Sequence, residues 1–192
     1  MGAGDVAYYA VYDRVLPKLV PAEGSTTVIE RDGVRESYND GDTVTAEPYA
    51  TPDSYDYWFV YGVDDFFFTG DDLKANYLAV LGDGTIEVTE TEFGCGTGTH
   101  IEVIDNVTGE VVEEFYFVIF GDLNGDTLAD YADATIMDDE AAGFTFFQEQ
   151  PYFFRAADLN GDQFMIDFAD AAIMDDVAAG FIFIDQTIGY YM

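Results

Sequence analysis

The sequence predicts an α+β chain: a small β-sandwich first, then a pair of short helices, each entered from an acidic loop. Three observations carry that prediction. Runs of β-branched and aromatic residues recur between glycine turns up to about residue 120. An acidic phrase, "DLNGDTLADYAD" (122–133), returns as "DLNGDQFMIDFAD" (158–170). Each copy then continues into the same run, "ADATIMDDEAAGFTFF" (132–147) and "ADAAIMDDVAAGFIFI" (169–184).

Composition sets the outer limits. Of 192 residues, 49% are hydrophobic and 17% aromatic, so the chain can bury a core. Six basic residues face 39 acidic ones, a formal net charge of −33. Nucleic acid and anionic lipid bind through Lys and Arg, so neither is expected as a partner. Self-repulsion on this scale favours bound cations. Cys95 is the single cysteine, so neither a disulfide framework nor a zinc cluster is expected. Nothing in the sequence supports a catalytic pairing of Cys95 with His100, the one histidine. No apolar run is long enough to span a membrane, and no signal peptide stands at the start. A secreted origin therefore implies a mature fragment of a larger protein.

Residues 1–21 read as an N-terminal segment or linker. Tyr8, Val11, Val15 and Leu19 fall at helical spacing, and Pro17 keeps any helix short. Residues 22–118 read as a β-rich support module. "STTVIERDG" (25–33) is a strand and turn, and "YDYWFVYGV" (55–63) suits a buried strand. "DDLKANYLAVLGDG" (71–84) has a short helical start, a strand and a turn, while "GTIEVTETEF" (84–93) alternates apolar and polar residues. "GTHIEVIDNVTGEVVEEFYFVIF" (98–120) is a hairpin turning at Asn106–Gly109. "NVT" at 106–108 matches a glycosylation acceptor but reads first as turn chemistry. The last strand runs into "GDLNGD" without a Pro, Ser or Gly-rich spacer, so the joint to residues 119–192 is expected to be stiff.

The acidic phrase has the chemistry of a calcium loop. A hard cation takes six to eight oxygens, which a short loop supplies from positions 1, 3, 5, 7, 9 and 12. In the first copy these are Asp122, Asn124, Asp126, the Leu128 carbonyl, Asp130 and Asp133, with Gly125 relieving the turn. Asp130 and Asp133 also stand where a helix begins and can cap its free N–H groups. The second copy starts with Asp158, Asn160 and Asp162, with Phe164 at the carbonyl position. Simple counting then reaches Ile166 and Ala169, which cannot ligate. One inserted residue moves the acids to Asp167 and Asp170. A bulge can return them to the ion; the alternative is a weaker or empty site held by hydrogen bonds. Gly143 and Gly180 read as helix stops. One unit is too small to bury its own face, so two units sharing a core explain the duplication.

A loop of this kind followed by one helix, duplicated, resembles a dockerin module over about residues 119–192. The resemblance implies two half EF-hands without entering helices, two bound Ca²⁺ ions, and attachment to a cohesin-like partner on a scaffold or cell-surface protein. It carries recognition to loop positions 10 and 11, here Tyr131 and Ala132, and by alignment Phe168 and Ala169. The sequence departs from the pattern at position 6, where Thr127 and Gln163 replace glycine. It departs again on the helices, where Asp138, Asp139, Glu140, Asp175 and Asp176 stand where Lys or Arg is usual. A partner of this face is expected to be basic, whether a cohesin or another surface domain. "GTGTHIEVIDNVTGEVVEEFYFVIFGDLNGD" is similar to the immunoglobulin-like modules that precede dockerins in surface proteins of anaerobic Firmicutes, which implies an Ig-like sandwich presenting the helical half.

The first functional expectation is therefore a non-enzymatic, calcium-dependent assembly module, secreted or on a bacterial cell surface. The second is a structural calcium-stabilised joint that binds no cohesin. A minor third is carbohydrate binding by the β half, since "YDYWFVYG" carries aromatics, although Trp58 and its neighbours fit a core better.

Overall fold

The computed structural model describes residues 14–32, 34–39, 43–48, 58–63, 68–144, 150–162 and 166–191. The described chain is mixed α+β and rich in strand. Its elements are β1 (Lys18–Pro21), β2 (Val28–Arg31), β3 (Val34–Asn39), β4 (Thr43–Pro48) and β5 (Trp58–Tyr61). Next come a single α turn, α1 (Gly70–Asp72), leading into a π turn (Leu73–Tyr77), then β6 (Leu78–Leu81), β7 (Gly84–Thr89), β8 (His100–Asp105) and β9 (Val111–Phe117). The rest is α2 (Tyr131–Ala141), α3 (Pro151–Ala157), α4 (Phe168–Ala178), β10 (Ile184–Asp185) and β11 (Tyr190–Tyr191). No helix among the described residues is long and apolar enough to cross a membrane.

Seven strands form one sheet in the order β4-β3-β2-β5-β9-β8-β7, with β5 and β9 parallel. Two short antiparallel pairs, β1-β6 and β10-β11, stand outside it. Side chains alternate across the central strands, and both faces are covered, so β5 reads as a continuous apolar run and all four residues of β2 are buried, Glu30 and Arg31 among them as paired charges. One face sends Ile29, Val60, Ile101, Val103, Phe115 and Phe117 against Leu19 of β1 and Leu78 of β6. The other sends Val28, Phe59 and Tyr61 against Met137 of α2 and Met174 of α4. These two methionines hold equivalent places in the repeat, and both are fully buried. The helical half thus shares its core with the sheet.

The expected helical spacing over Tyr8–Leu19 fails where the structure describes it. Lys18–Pro21 is extended and pairs with β6, Leu19 is buried, and Val15 is 85% exposed. Pro17 removes a helical donor, and pairing with Leu78–Leu81 supplies the hydrogen bonds a helix would have made. Tyr8 and Val11 lie outside the described residues. A second difference is α3, a helix that enters the second loop and that the apolar tail of the first copy did not signal. It begins on Pro151, whose fixed φ suits a first helical position.

The basic residues are committed to pairs. Arg14 binds Asp105, Lys18 binds Glu36, and Arg31 binds Glu113 and Glu36. Lys74 binds Asp71, while Arg35 and Arg155 both reach Glu30. Glu30 and Arg155 are buried where the sheet meets α3. The Tyr61 hydroxyl donates to the same carboxylate at 2.9 Å, and the Arg155 guanidinium lies 4.7 Å from the Phe120 ring centre. The last basic residue of the chain therefore fastens the helical half to the sheet.

Candidate metal centre

The first loop folds around Asp122, which is fully buried. Its Oδ1 accepts the backbone N–H of Gly125 at 2.7 Å and of Asp126 at 3.2 Å. Its Oδ2 accepts the N–H of Thr127 at 3.2 Å and of Thr97 at 2.9 Å. The Asn124 side-chain oxygen accepts from Asp126 N–H, and Asp126 Oδ1 accepts from Leu128 N–H, so successive Asx turns wrap the chain. Thr127 takes φ +79°, the left-handed conformation that usually selects glycine at this place. Gly125, at φ +78°, meets the same demand at lower cost.

The loop closes on the helix. Asp130 is the N-cap of α2, and Asp133 returns a bond to the Asp130 N–H at 2.9 Å, a complete capping box. The other Asp133 oxygen accepts from Leu123 N–H at 2.8 Å, which ties the start of the loop to its end. Gly143 then terminates the helix. Its N–H bonds Glu140 and that of Phe144 bonds Asp139, a Schellman ending.

The second copy reproduces these bonds despite its extra residue. Asp167 caps α4, Asp170 returns to the Asp167 N–H at 3.1 Å, and the other Asp170 oxygen accepts from Leu159 and Asn160. Asp158 Oδ1 accepts from Gly161, and Asn160 Oδ1 from Asp162. Asp167 and Asp170 thus hold the places of Asp130 and Asp133. Gln163 and Phe164, where the insertion falls, lie outside the described residues. Gly180 and Phe181 repeat the Schellman ending.

The electrostatics fit a cation. Burial pushes the Asp133 carboxyl up to about 6, and the neighbouring Asp122 and Asp126 push it the same way against its hydrogen bonds. Burial also raises Asp122, with Asp126 adding to the effect, and raises Asp170, with Asp158 adding. Each loop gathers hard oxygens whose negative charges oppose one another, the donor type suited to Ca²⁺, but among the described residues no three of these loop carboxylates bring oxygens within 4.8 Å of one another. A carboxyl whose folded value lies above its unfolded one stabilises the metal-free fold at low pH, and that contribution is lost as pH rises through about 6. A cation that takes Asp133 as a ligand must displace the same proton, so any calcium affinity of the first loop should fall about tenfold between pH 7 and pH 5. Calorimetric titration at the two pH values measures this.

Thr97 was not signalled as part of the site, though "CGTG" at 95–98 carried a hint in its two glycines. A Cβ on Gly96 would sit 2.3 Å from the Gly125 carbonyl oxygen, and the Thr91 hydroxyl donates to that oxygen at 3.0 Å. The β7–β8 connection is therefore pressed against the first loop, backbone to backbone. Gly96→Ala should cost about 1–3 kcal/mol and weaken any cation held by the first loop. A calcium titration that the substitution leaves at the parental affinity would remove the buttress.

No family model, curated protein or solved structure matches the chain.

The residues expected to face a partner are at the surface. Tyr131 is 65% and Phe168 68% exposed, and Ala132 and Ala169 beside them are exposed. Cys95 is buried on the sheet face opposite His100, and burial pushes its thiol up to about 12, so no thiolate forms near neutrality. Trp58 packs on Phe115 at 5.4 Å between ring centres, with its indole N–H donating to Asp32. Residues 55–57 of the aromatic run lie outside the described residues. The Asn106 side chain donates to Asp83 and accepts from Thr85 at the neighbouring β6–β7 turn.

Proposed function

We propose that the chain is a calcium-dependent assembly module of the dockerin kind, carried by a secreted or cell-surface protein, and that it holds that protein to a cohesin-like domain with a basic face. Asp122, Asn124, Asp126, Leu128, Asp130 and Asp133 would hold one Ca²⁺, and Asp158, Asn160, Asp162, Phe164, Asp167 and Asp170 the other. The observation that carries this reading is the equivalence of the two units. Each loop ends in the same capping box and each places an aromatic residue, Tyr131 or Phe168, in the open at the first turn of its helix. An exposed aromatic beside an acidic helix is an anchor with a charged surround, a pattern suited to protein recognition. Calcium's part is to neutralise and order the loops that aim these anchors.

A second reading has its own support. The helical pair shares a core with the sheet, and Thr97 donates into the first loop, as a calcium-locked joint within a longer surface protein requires. One experiment separates the two. A panel of cohesin domains should capture the calcium-loaded protein and release it on chelation, and Tyr131→Ala with Phe168→Ala should abolish capture without lowering the melting temperature. Silence across the panel, with calcium binding intact, would leave the joint.

A further inference from the structure

We propose that His100, Glu102 and Glu114 form a second kind of metal site, separate from the acidic loops, that takes a zinc-class divalent ion. The register of the sheet puts the three side chains together. His100 and Glu102 are two apart on β8 and so share a face. Glu114 of β9 stands directly opposite Glu102, and Tyr116 directly opposite His100. One ligating atom from each of His100, Glu102 and Glu114 lies within 4.8 Å of the others. This is the face that carries α3, where Tyr116 stacks on Tyr152 at 4.9 Å between ring centres. The His100 ring lies 5.2 Å from that of Tyr116, which props the imidazole.

The charge pattern asks for a cation. Like charges directly opposite on neighbouring strands are destabilising, and here the row is three glutamates long, because Glu87 of β7 is the partner of Glu102 on its other side. Each of the six basic residues already pairs with a carboxylate elsewhere. The donor set chooses the ion. The loops offer oxygen alone, which suits calcium, whereas an imidazole with two carboxylates suits a borderline ion such as Zn²⁺, with a fourth position left for water. No cysteine is needed. Tetrahedral zinc holds its ligand atoms about 3.3 Å apart, a closure of about 1.5 Å at most, within the reach of two glutamates on a half-open sheet face.

The test uses the full chain saturated with calcium, so that the loops are filled, and titrates Zn²⁺. The chain has one histidine, so a single imidazole signal in nitrogen-detected NMR reports the site without ambiguity. The expected result is one zinc per chain with a shift of that signal. His100→Ala and Glu114→Gln should each weaken zinc binding by more than about tenfold, the low end for loss even of a supporting contact, while Glu110→Gln leaves it unchanged. Glu114 is exposed, so its variant should fold and keeps the test open if His100→Ala does not. Zinc binding that survives both ligand variants, or saturation without movement of the imidazole signal, would overturn the proposal.

Discussion

Stripping calcium should lower the melting temperature by roughly 10–20 °C and loosen the β half together with the loops. A ligand at 100 times its dissociation constant adds about 2.7 kcal/mol per site, so two sites add about 5 kcal/mol. For a chain of this length each kcal/mol moves the midpoint by about 2–4 °C. The effect should reach beyond residues 119–192 because of what surrounds Asp122. Without a cation, its buried charge opposes those of Asp126 and Asp133. Relief requires either protonation or opening of the loop, and opening breaks the bond to the Thr97 N–H. Thr97 in turn exchanges hydrogen bonds with Ile119 through its hydroxyl, at 3.0 and 3.1 Å, beside the β8–β9 ladder. Hydrogen exchange with and without chelator should therefore show lost protection at Thr97 and Ile119 as well as in α2 and α4. An unchanged melting curve would defeat calcium's role. Loss confined to the loops would defeat the coupling.

The parts of this architecture that the sequence displays are the local ones. Capping boxes at Asp130 and Asp167, glycine stops at Gly143 and Gly180, and the hairpin at Asn106–Gly109 are each written within a few residues, because caps and turns are made by side chains reaching neighbouring backbone. The duplicated register exposes the inserted residue of the second loop by simple alignment. What the sequence hides is long-range. Nothing within Lys18–Pro21 announces a strand, since its partner Leu78–Leu81 lies far along the chain and its pairing outweighs local periodicity. Glu30 meets Arg155, and Glu102 meets Glu114, only once strand order and register are known. The duplication itself suggested that the two units share a core with each other. That the sheet closes the same core through Phe59 and Tyr61 required the fold.

Asp122→Ala should be the most damaging single substitution in either loop, costing about 4 kcal/mol or more even in chelator. The change removes the acceptor for the N–H groups of Thr97, Gly125, Asp126 and Thr127. Thr97, Gly125 and Thr127 are buried, and each buried donor left unmet costs about 1–3 kcal/mol. Calcium at the first loop is then lost as well, so the gap from the parent widens when calcium is present. Asp122→Asn keeps the shape but sets an amide N–H against the donors on one side, and should fall between. Asp158→Ala tests the asymmetry: it holds the same position in the second loop, where its Oδ1 accepts from the half-buried Gly161. Its cost in chelator should be smaller than that of Asp122→Ala by about the bond from Thr97, roughly 1–3 kcal/mol. Denaturant unfolding of the three variants in chelator and in calcium measures the order. Equal costs for Asp122→Ala and Asp158→Ala in chelator would mean that the bond from Thr97 contributes nothing, and that the first loop stands as independently of the sheet as the second.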